Sequence, residues 1–179
     1  MLNSTLCYIE KDGSYLMLLR NRKKHDINGG KWIGVGGKFE EGESPVDCLV
    51  REVREETGLT LTRWRMRGIV TFVSDVAETE YMHLFTADGF EGELAADCDE
   101  GELRWIPKEQ ISSLNLWEGD RIFLELLYRD APFFLLKLTY SGDLLTAQKL
   151  EHGSVPVLKK RGQKLEHGDR HGVEKPAEM

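Results

Sequence analysis

The chain has 179 residues and a formal net charge of −7 at pH 7. That length suggests one domain, and a core of about 145 residues buries enough apolar surface to fold alone. The acidic balance argues against a protein that grips duplex DNA or RNA, because polymer binding sets Lys and Arg against phosphates; a small anionic substrate held through a cation stays open.

In chain order, residues 5–10 and 15–20 are short apolar runs joined by Lys11-Asp12-Gly13-Ser14, whose Asp-Gly pair predicts a hairpin turn. Residues 21–31 are polar and rich in Lys, Arg, Asn and Gly, which predicts a loop. Trp32-Ile33-Gly34-Val35-Gly36-Gly37-Lys38 follows, where glycine density implies close backbone packing. Residues 45–57 form the clearest predicted helix, with Ser44 as N-cap, Pro45 at the first helical position and Gly58 as the stop. Strands are predicted at 66–74 and 80–87, a loop at 88–101, a strand at Glu102–Ile106 and a helical turn over Pro107–Leu114. A second amphipathic helix, Asp120–Tyr128, and a last strand, Phe133–Tyr140, complete the domain. This order of elements fits an α/β or α+β layer fold with a mixed sheet.

From residue 147 aromatics vanish, and Gln148-Lys149-Leu150-Glu151-His152-Gly153 recurs as Gln163-Lys164-Leu165-Glu166-His167-Gly168. The expected division is a domain at 1–146 and a polar, disordered tail at 147–179, since such a segment buries too little apolar area to offset its ordering entropy. Three of the five histidines lie in the tail, and a solvated segment without a specific site is the expectation for them. Cys7, Cys48 and Cys98 are odd in number and lack C-x-x-C spacing. Neither a disulfide framework nor structural zinc is expected; buried free thiols and a cytoplasmic location are. No secretory signal is expected at the N-terminus and no bilayer-spanning stretch anywhere.

On the predicted helix 45–57, Val46, Leu49, Val50, Val53 and Thr57 share an arc of about 100° that should face a core. Relative to Glu52, Glu55 sits near about −60° and Glu56 near about +40°, so the three carboxylates form a stripe at the margin of that arc. Three acids so spaced repel one another, more strongly as the dielectric falls toward the core. A divalent cation would relieve them, and an all-oxygen donor set points to Mg²⁺, with Mn²⁺ as the alternative. On this helix alone a solvated face, with Arg51 and Arg54 in salt bridges, is an equal reading.

The surrounding pattern breaks the tie. Gly37, five residues, Glu43, seven residues, then Arg51-Glu52-Val53-Arg54-Glu55-Glu56-Thr57-Gly58-Leu59 resembles the Nudix box, G-x5-E-x7-R-E-U-x-E-E-x-G-U with U apolar, at every specified position. Chance agreement at its fixed residues is on the order of one in a billion per window. The resemblance implies a Nudix-type α/β/α sandwich with a mixed sheet, in which the box forms loop–helix–loop. It implies that Glu52, Glu55 and Glu56 hold one or more Mg²⁺ ions with a backbone carbonyl near Gly36, and that one of them acts as general base on water. It also implies that Glu43 and Arg51 pair to brace the loop against the helix.

Beyond the box, roughly residues 3–145 are similar to MutT-like oxidised-purine nucleoside triphosphatases. That branch implies a further metal ligand at Glu100, within Asp97-Cys98-Asp99-Glu100. It implies base contact from Trp117 and Asp120, within Leu116-Trp117-Glu118-Gly119-Asp120, and a substrate-contacting lysine at Lys23. Two positions depart from it. Ile33 stands where the human-type enzymes have an asparagine that hydrogen-bonds the oxidised base, and Gly119-Asp120 stands where they have two aspartates.

The expected activity is therefore Mg²⁺-dependent pyrophosphohydrolysis of a small nucleotide, with 8-oxo-dGTP as the first substrate to test. Another Nudix substrate (an unmodified dNTP, a nucleotide sugar or an RNA 5′ end) and a non-catalytic nucleotide-binding module are the alternatives, the latter disfavoured by the intact Arg51, Glu52, Glu55 and Glu56. The expected partner is a small nucleotide, with no nucleic-acid polymer and no membrane, on a monomer or homodimer.

Overall fold

The computed structural model describes residues 1–96 and 98–152. The first hairpin pairs β1 (Leu2–Lys11) with β2 (Ser14–Arg20). Its turn places Asp12 and Gly13 at φ 48° and 75°, the left-handed pair that suits the twist of the strands. The short β3 (Trp32–Ile33) leads into α1 (Pro45–Thr57); β4 (Thr60–Ser74), β5 (Glu80–Glu91) and β6 (Gly101–Pro107) follow. A 3-10 turn (Lys108–Ser113), α2 (Glu118–Tyr128), β7 (Phe134–Ser141) and β8 (Leu144–His152) complete the described chain.

The strands form one mixed sheet in the order β3-β2-β1-β5-β4-β7-β8, with β6 also pairing with β2. β1 runs parallel to β5, and β4 parallel to β7; the other neighbouring pairs are antiparallel. Alternation along β1 explains the two cores. Leu6 and Tyr8 point to a cluster completed by Phe123, Leu124 and Leu127 of α2. Cys7 and Ile9 point to the opposite cluster, with Leu49 and Val53 of α1. One helix on each face makes the α/β/α sandwich expected from the sequence. Cys7, Cys48 and Cys98 are buried and free, and no described helix is long and apolar enough to cross a membrane.

Helix α1 spans the predicted residues. Ser44 caps it by accepting a hydrogen bond from Asp47 N, the Asp47 carboxylate accepts one from Ser44 N, and Gly58 ends it at φ 74°. The buried face is rotated from the expected one. Leu49, Val53 and Thr57 are buried, but so are Cys48 and Glu56, whereas Val46 is exposed and Val50 only half-buried. The Cys48 side is drawn inward because its Sγ lies 3.4 Å from both Thr5 Oγ1 and the Gly37 carbonyl oxygen.

Three other expectations are corrected. The strand predicted at 66–74 begins at Thr60, because register shifts at Leu61/Arg63, Arg63/Trp64 and Met66/Gly68 break its two-residue period. The loop predicted over 88–101 is shorter, since β5 runs to Glu91. The boundary at 146 falls inside β8, which pairs with β7 from Ser141↔Leu144 to Phe134↔His152. Backbone pairing along an open edge needs no apolar side chains, so the polar Gln148-Lys149-Leu150-Glu151-His152 joins the sheet. The second copy of that repeat, and the tail histidines beyond 152, lie outside the described residues.

Candidate active site

The site is built where the segment after β3 runs along β1. Cys7 and Val35 exchange backbone hydrogen bonds of 2.7 and 2.9 Å, and Thr5 N donates to the Gly37 carbonyl at 2.9 Å. Two glycines line this approach, and backbone contact makes the first of them obligatory. A Cβ on Gly36 would overlap the Thr5 carbonyl, and one on Gly37 would overlap the Glu52 carboxylate. The missing side chains let α1 lie close enough for its carboxylates to meet the loop.

The three glutamates occupy graded environments. Glu55 is exposed, the Glu52 side chain is 15% exposed, and Glu56 is buried at 7%. Burial pushes the Glu56 carboxyl up to about 7, against a hydrogen bond from Gly36 N to its Oε2 at 3.0 Å; the nearby Glu52 charge raises it further, and Arg20 and Lys23 pull it back.

Arg51 ties the loop to the helix. Its Nε and Nη2 donate to the two Glu43 carboxylate oxygens at 2.6 and 2.9 Å. Nη1 donates to Glu52 at 2.7 Å and Glu55 at 3.2 Å, and Nη2 also reaches the Lys38 carbonyl at 3.0 Å. This fork holds the Glu43 carboxyl down at about 2, with help from Glu40 N.

Glu100 faces the same region from the turn before β6 and is ion-paired to both Lys23 and Arg20. Lys23 is thus brought to the site, with a carboxylate on its ammonium. Sequence reasoning missed Arg20, at the end of β2, whose Nε also pairs with Asp26 at 2.7 Å. Its apolar neighbours Leu18 and Leu19 mask it as a strand terminus. Asp97, in the acidic stretch beside Glu100, lies outside the described residues.

Among the described residues no three acidic, His or Cys side chains converge as a coordination shell. Glu52 and Glu55 are turned to Arg51, and Glu100 to Lys23 and Arg20. The donor set nevertheless fits a hard divalent cation. It is entirely oxygen, the Glu52 carboxylate lies against Gly37 where a Cβ would otherwise stand, and among the described residues the buried Glu56 carboxylate accepts only an uncharged backbone N–H.

One cavity of about 570 Å³ runs from Glu52, Glu100 and Lys23 to Ile33, Trp117 and Asp120. Trp117 caps α2 at 6% exposure; Tyr140 packs edge-on at 5.4 Å and the Lys31 ammonium lies 4.4 Å from its ring centroid. It is therefore both core and cavity wall. Asp120 is buried in the first turn of α2, and burial pushes its carboxyl up to about 7, with Lys31 and Arg121 pulling the other way. Gly119 explains the missing second aspartate. A side chain there would overlap Leu138 and the Tyr140 hydroxyl, which accepts a hydrogen bond from Gly119 N at 2.8 Å. Sequence reasoning also missed Asn28, which lines the cavity from the 21–31 loop and accepts a hydrogen bond from Trp117 Nε1 at 2.8 Å. Its partner lies 89 residues away, so no local pattern marks it.

Comparison with known proteins gives the same picture. The NUDIX domain model matches residues 3–127. The chain is 32% identical over 149 residues to an oxidized purine nucleoside triphosphate hydrolase of Danio rerio, covering 82% of this chain and 92% of that one. It is 31% identical over 143 residues to the Nudix hydrolase YvcI of Bacillus subtilis, covering 78% and 87%. The crystal structure of a MutT protein from Bacillus halodurans superposes with a TM-score of 0.76 at 26% identity, covering 84% of this chain and 98% of that one. With a complete Gly37–Leu59 box on a MutT-like sandwich, the chain belongs to the Nudix family of hydrolases, enzymes that act on phosphoanhydride bonds.

Proposed function

We propose that this hydrolase splits a purine nucleoside triphosphate into the monophosphate and pyrophosphate, with 8-oxo-dGTP as its substrate. The observation that carries the reading is the continuity of one cavity between two chemistries. Carboxylates and cations for a triphosphate stand at one end, and an aromatic wall with a buried carboxyl stands at the other. The relatives named for oxidised purine nucleotides support the choice of base.

Glu52, Glu56 and Glu100, with Glu55 and the Gly36 carbonyl, are the groups that would hold Mg²⁺. The ion, when bound, neutralises phosphate oxygens and acidifies water. One of these glutamates takes the proton of the attacking water, and we assign that role to Glu56, the most buried of the helix's three carboxylates. Arg51 keeps Glu52 and the loop in register through Glu43. Lys23 and Arg20, which pair with Glu100, would bind phosphate oxygens. Trp117 and Ile33 flank the base, and Asp120, protonated near neutral pH, donates to one of its acceptors.

The test is pyrophosphate release, with and without Mg²⁺, from 8-oxo-dGTP, dGTP, the other dNTPs and ADP-ribose. The expected result is a Mg²⁺-dependent kcat/KM at least tenfold higher for 8-oxo-dGTP than for dGTP. Equal rates, or a preference for another nucleotide, would discard the oxidised base and leave the hydrolase, with Ile33 the residue to examine.

A further inference from the structure

The 21–31 loop holds a polar group at the base end of the cavity that the family pattern does not explain. Asn28 is tied at three points. Its backbone N–H donates to Asp26 Oδ1 at 3.0 Å, its carbonyl accepts from Lys31 N at 2.9 Å, and its side-chain Oδ1 accepts from Trp117 Nε1 at 2.8 Å. Asp26 is in turn clamped by Arg20. Trp117 is clamped by Tyr140 and by Phe72, whose ring lies 6.4 Å away.

An indole N–H only donates, so the atom facing it must be the carboxamide oxygen. That settles which way the amide points and leaves its N–H₂ without an acceptor among the described residues. A donor so held, beside Ile33, Trp117 and Asp120 in the same cavity, favours ligand edges that carry a keto oxygen and disfavours those that carry an exocyclic amine.

We propose that Asn28 is a specificity-determining residue. Its carboxamide, oriented by Trp117, donates a hydrogen bond to a keto oxygen of the base and so supplies from the loop the amide that Ile33 does not provide. The proposal rests on the reading of this cavity as a nucleotide site. It makes guanine-type bases, oxidised or not, the preferred class over adenine and cytosine. Trp117 acts here as a positioning residue for Asn28, in addition to any contact of its own.

The decisive variant is Asn28→Asp. It keeps an oxygen for the Trp117 N–H and so keeps the anchor, but it replaces the N–H₂ donor with a second acceptor. Asn28→Ala removes both. Two readouts are taken on protein whose melting temperature matches wild type. The first is the ratio of kcat/KM for dGTP over dATP with Mg²⁺. The second is the ratio of dissociation constants of dAMP over dGMP for metal-free protein by titration calorimetry, which does not depend on catalysis. Asn28→Asp is expected to lower both ratios at least tenfold, and Asn28→Ala to lower them without any gain for adenine.

Ratios unchanged in Asn28→Asp, or an equal loss on both bases, would reduce Asn28 to a brace for Trp117 and overturn the proposal. Equal binding of dGMP and dAMP by the wild-type protein would overturn it too. The outcomes separate from those for the proposed substrate. A wild type indifferent between 8-oxo-dGTP and dGTP discards the oxidised base while the Asn28→Asp shift still stands. A wild type selective for 8-oxo-dGTP with a silent Asn28→Asp discards Asn28 alone.

Discussion

Asp120→Asn is the substitution whose effect follows most directly from the geometry. The Asp120 side chain is buried, and no salt bridge to it forms among the described residues. Arg121 is occupied by the Ser112 and Leu114 carbonyls at 2.6 and 2.8 Å, and Lys31 lies over the Trp117 ring. Burial therefore dominates and raises the carboxyl from 3.8 to about 7. The sign follows from proton counting. Below the unfolded value both states are protonated and burial of the acid costs nothing through ionisation. Between that value and about 7 the unfolded chain ionises while the folded one stays neutral, so stability falls as pH rises; above about 7 the loss is constant. At about 1.4 kcal/mol for each tenfold change in acidity, the loss at about pH 8 has a ceiling of about 4 kcal/mol. Asparagine has the same shape and no charge to bury. Asp120→Asn should therefore gain up to about 4 kcal/mol at about pH 8 and almost nothing at about pH 4, with a melting point raised by roughly 8–16 °C at the higher pH. Urea unfolding of both proteins at the two pH values, followed by tryptophan fluorescence, measures the difference; other titrating groups, Glu56 included, are common to both and cancel. A variant no more stable than wild type at about pH 8, or equally stabilised at both pH values, would refute the argument.

Three further outcomes are expected. Glu56→Gln keeps an oxygen for Gly36 N and removes a buried charge, so pyrophosphate release should fall by roughly 10²–10⁴ with the melting temperature retained; near-normal turnover would remove Glu56 from the chemistry. Arg51→Ala strips the fork that holds Glu43, Glu52 and Lys38. It should lower the urea midpoint at neutral pH more than Arg54→Ala, which loses a single bond to Thr60. Because Glu43 sits at about 2 against 4.5 unfolded, its contribution is present above the unfolded value and fades as pH falls toward about 2, and the gap between the two variants should narrow over that window. A chain ending at residue 146 loses most of β8 and leaves β7 an open edge, so it should unfold at lower urea than one ending at residue 152; equal midpoints would show that the pairing adds nothing.

Helix α1 and the first hairpin were legible because their signals are local. A cap, a stop glycine and an Asp-Gly turn act within a few residues of the backbone they control. The carboxylate stripe was legible for a related reason, since helical periodicity places it before any tertiary contact forms, whereas the Glu43–Arg51 pair was expected only from the resemblance to the Nudix box. Amino-acid order alone therefore determined the family, the layer fold and the candidate metal-holding face. What it did not carry is how that face is turned. Cys48 and Glu56 are inside, and Val46 outside, because α1 approaches β1 across Gly36 and Gly37. β8 was hidden because an edge strand draws on its neighbour's backbone rather than on its own hydrophobicity. Asn28, Arg20 and the reason for Gly119 came only from the tertiary structure. Each depends on a partner brought from elsewhere in the chain: Trp117 for Asn28, Glu100 for Arg20, Tyr140 for Gly119. A side chain's chemistry is written in the sequence, but its pKa and its free hydrogen-bonding atoms are set by what folding places against it.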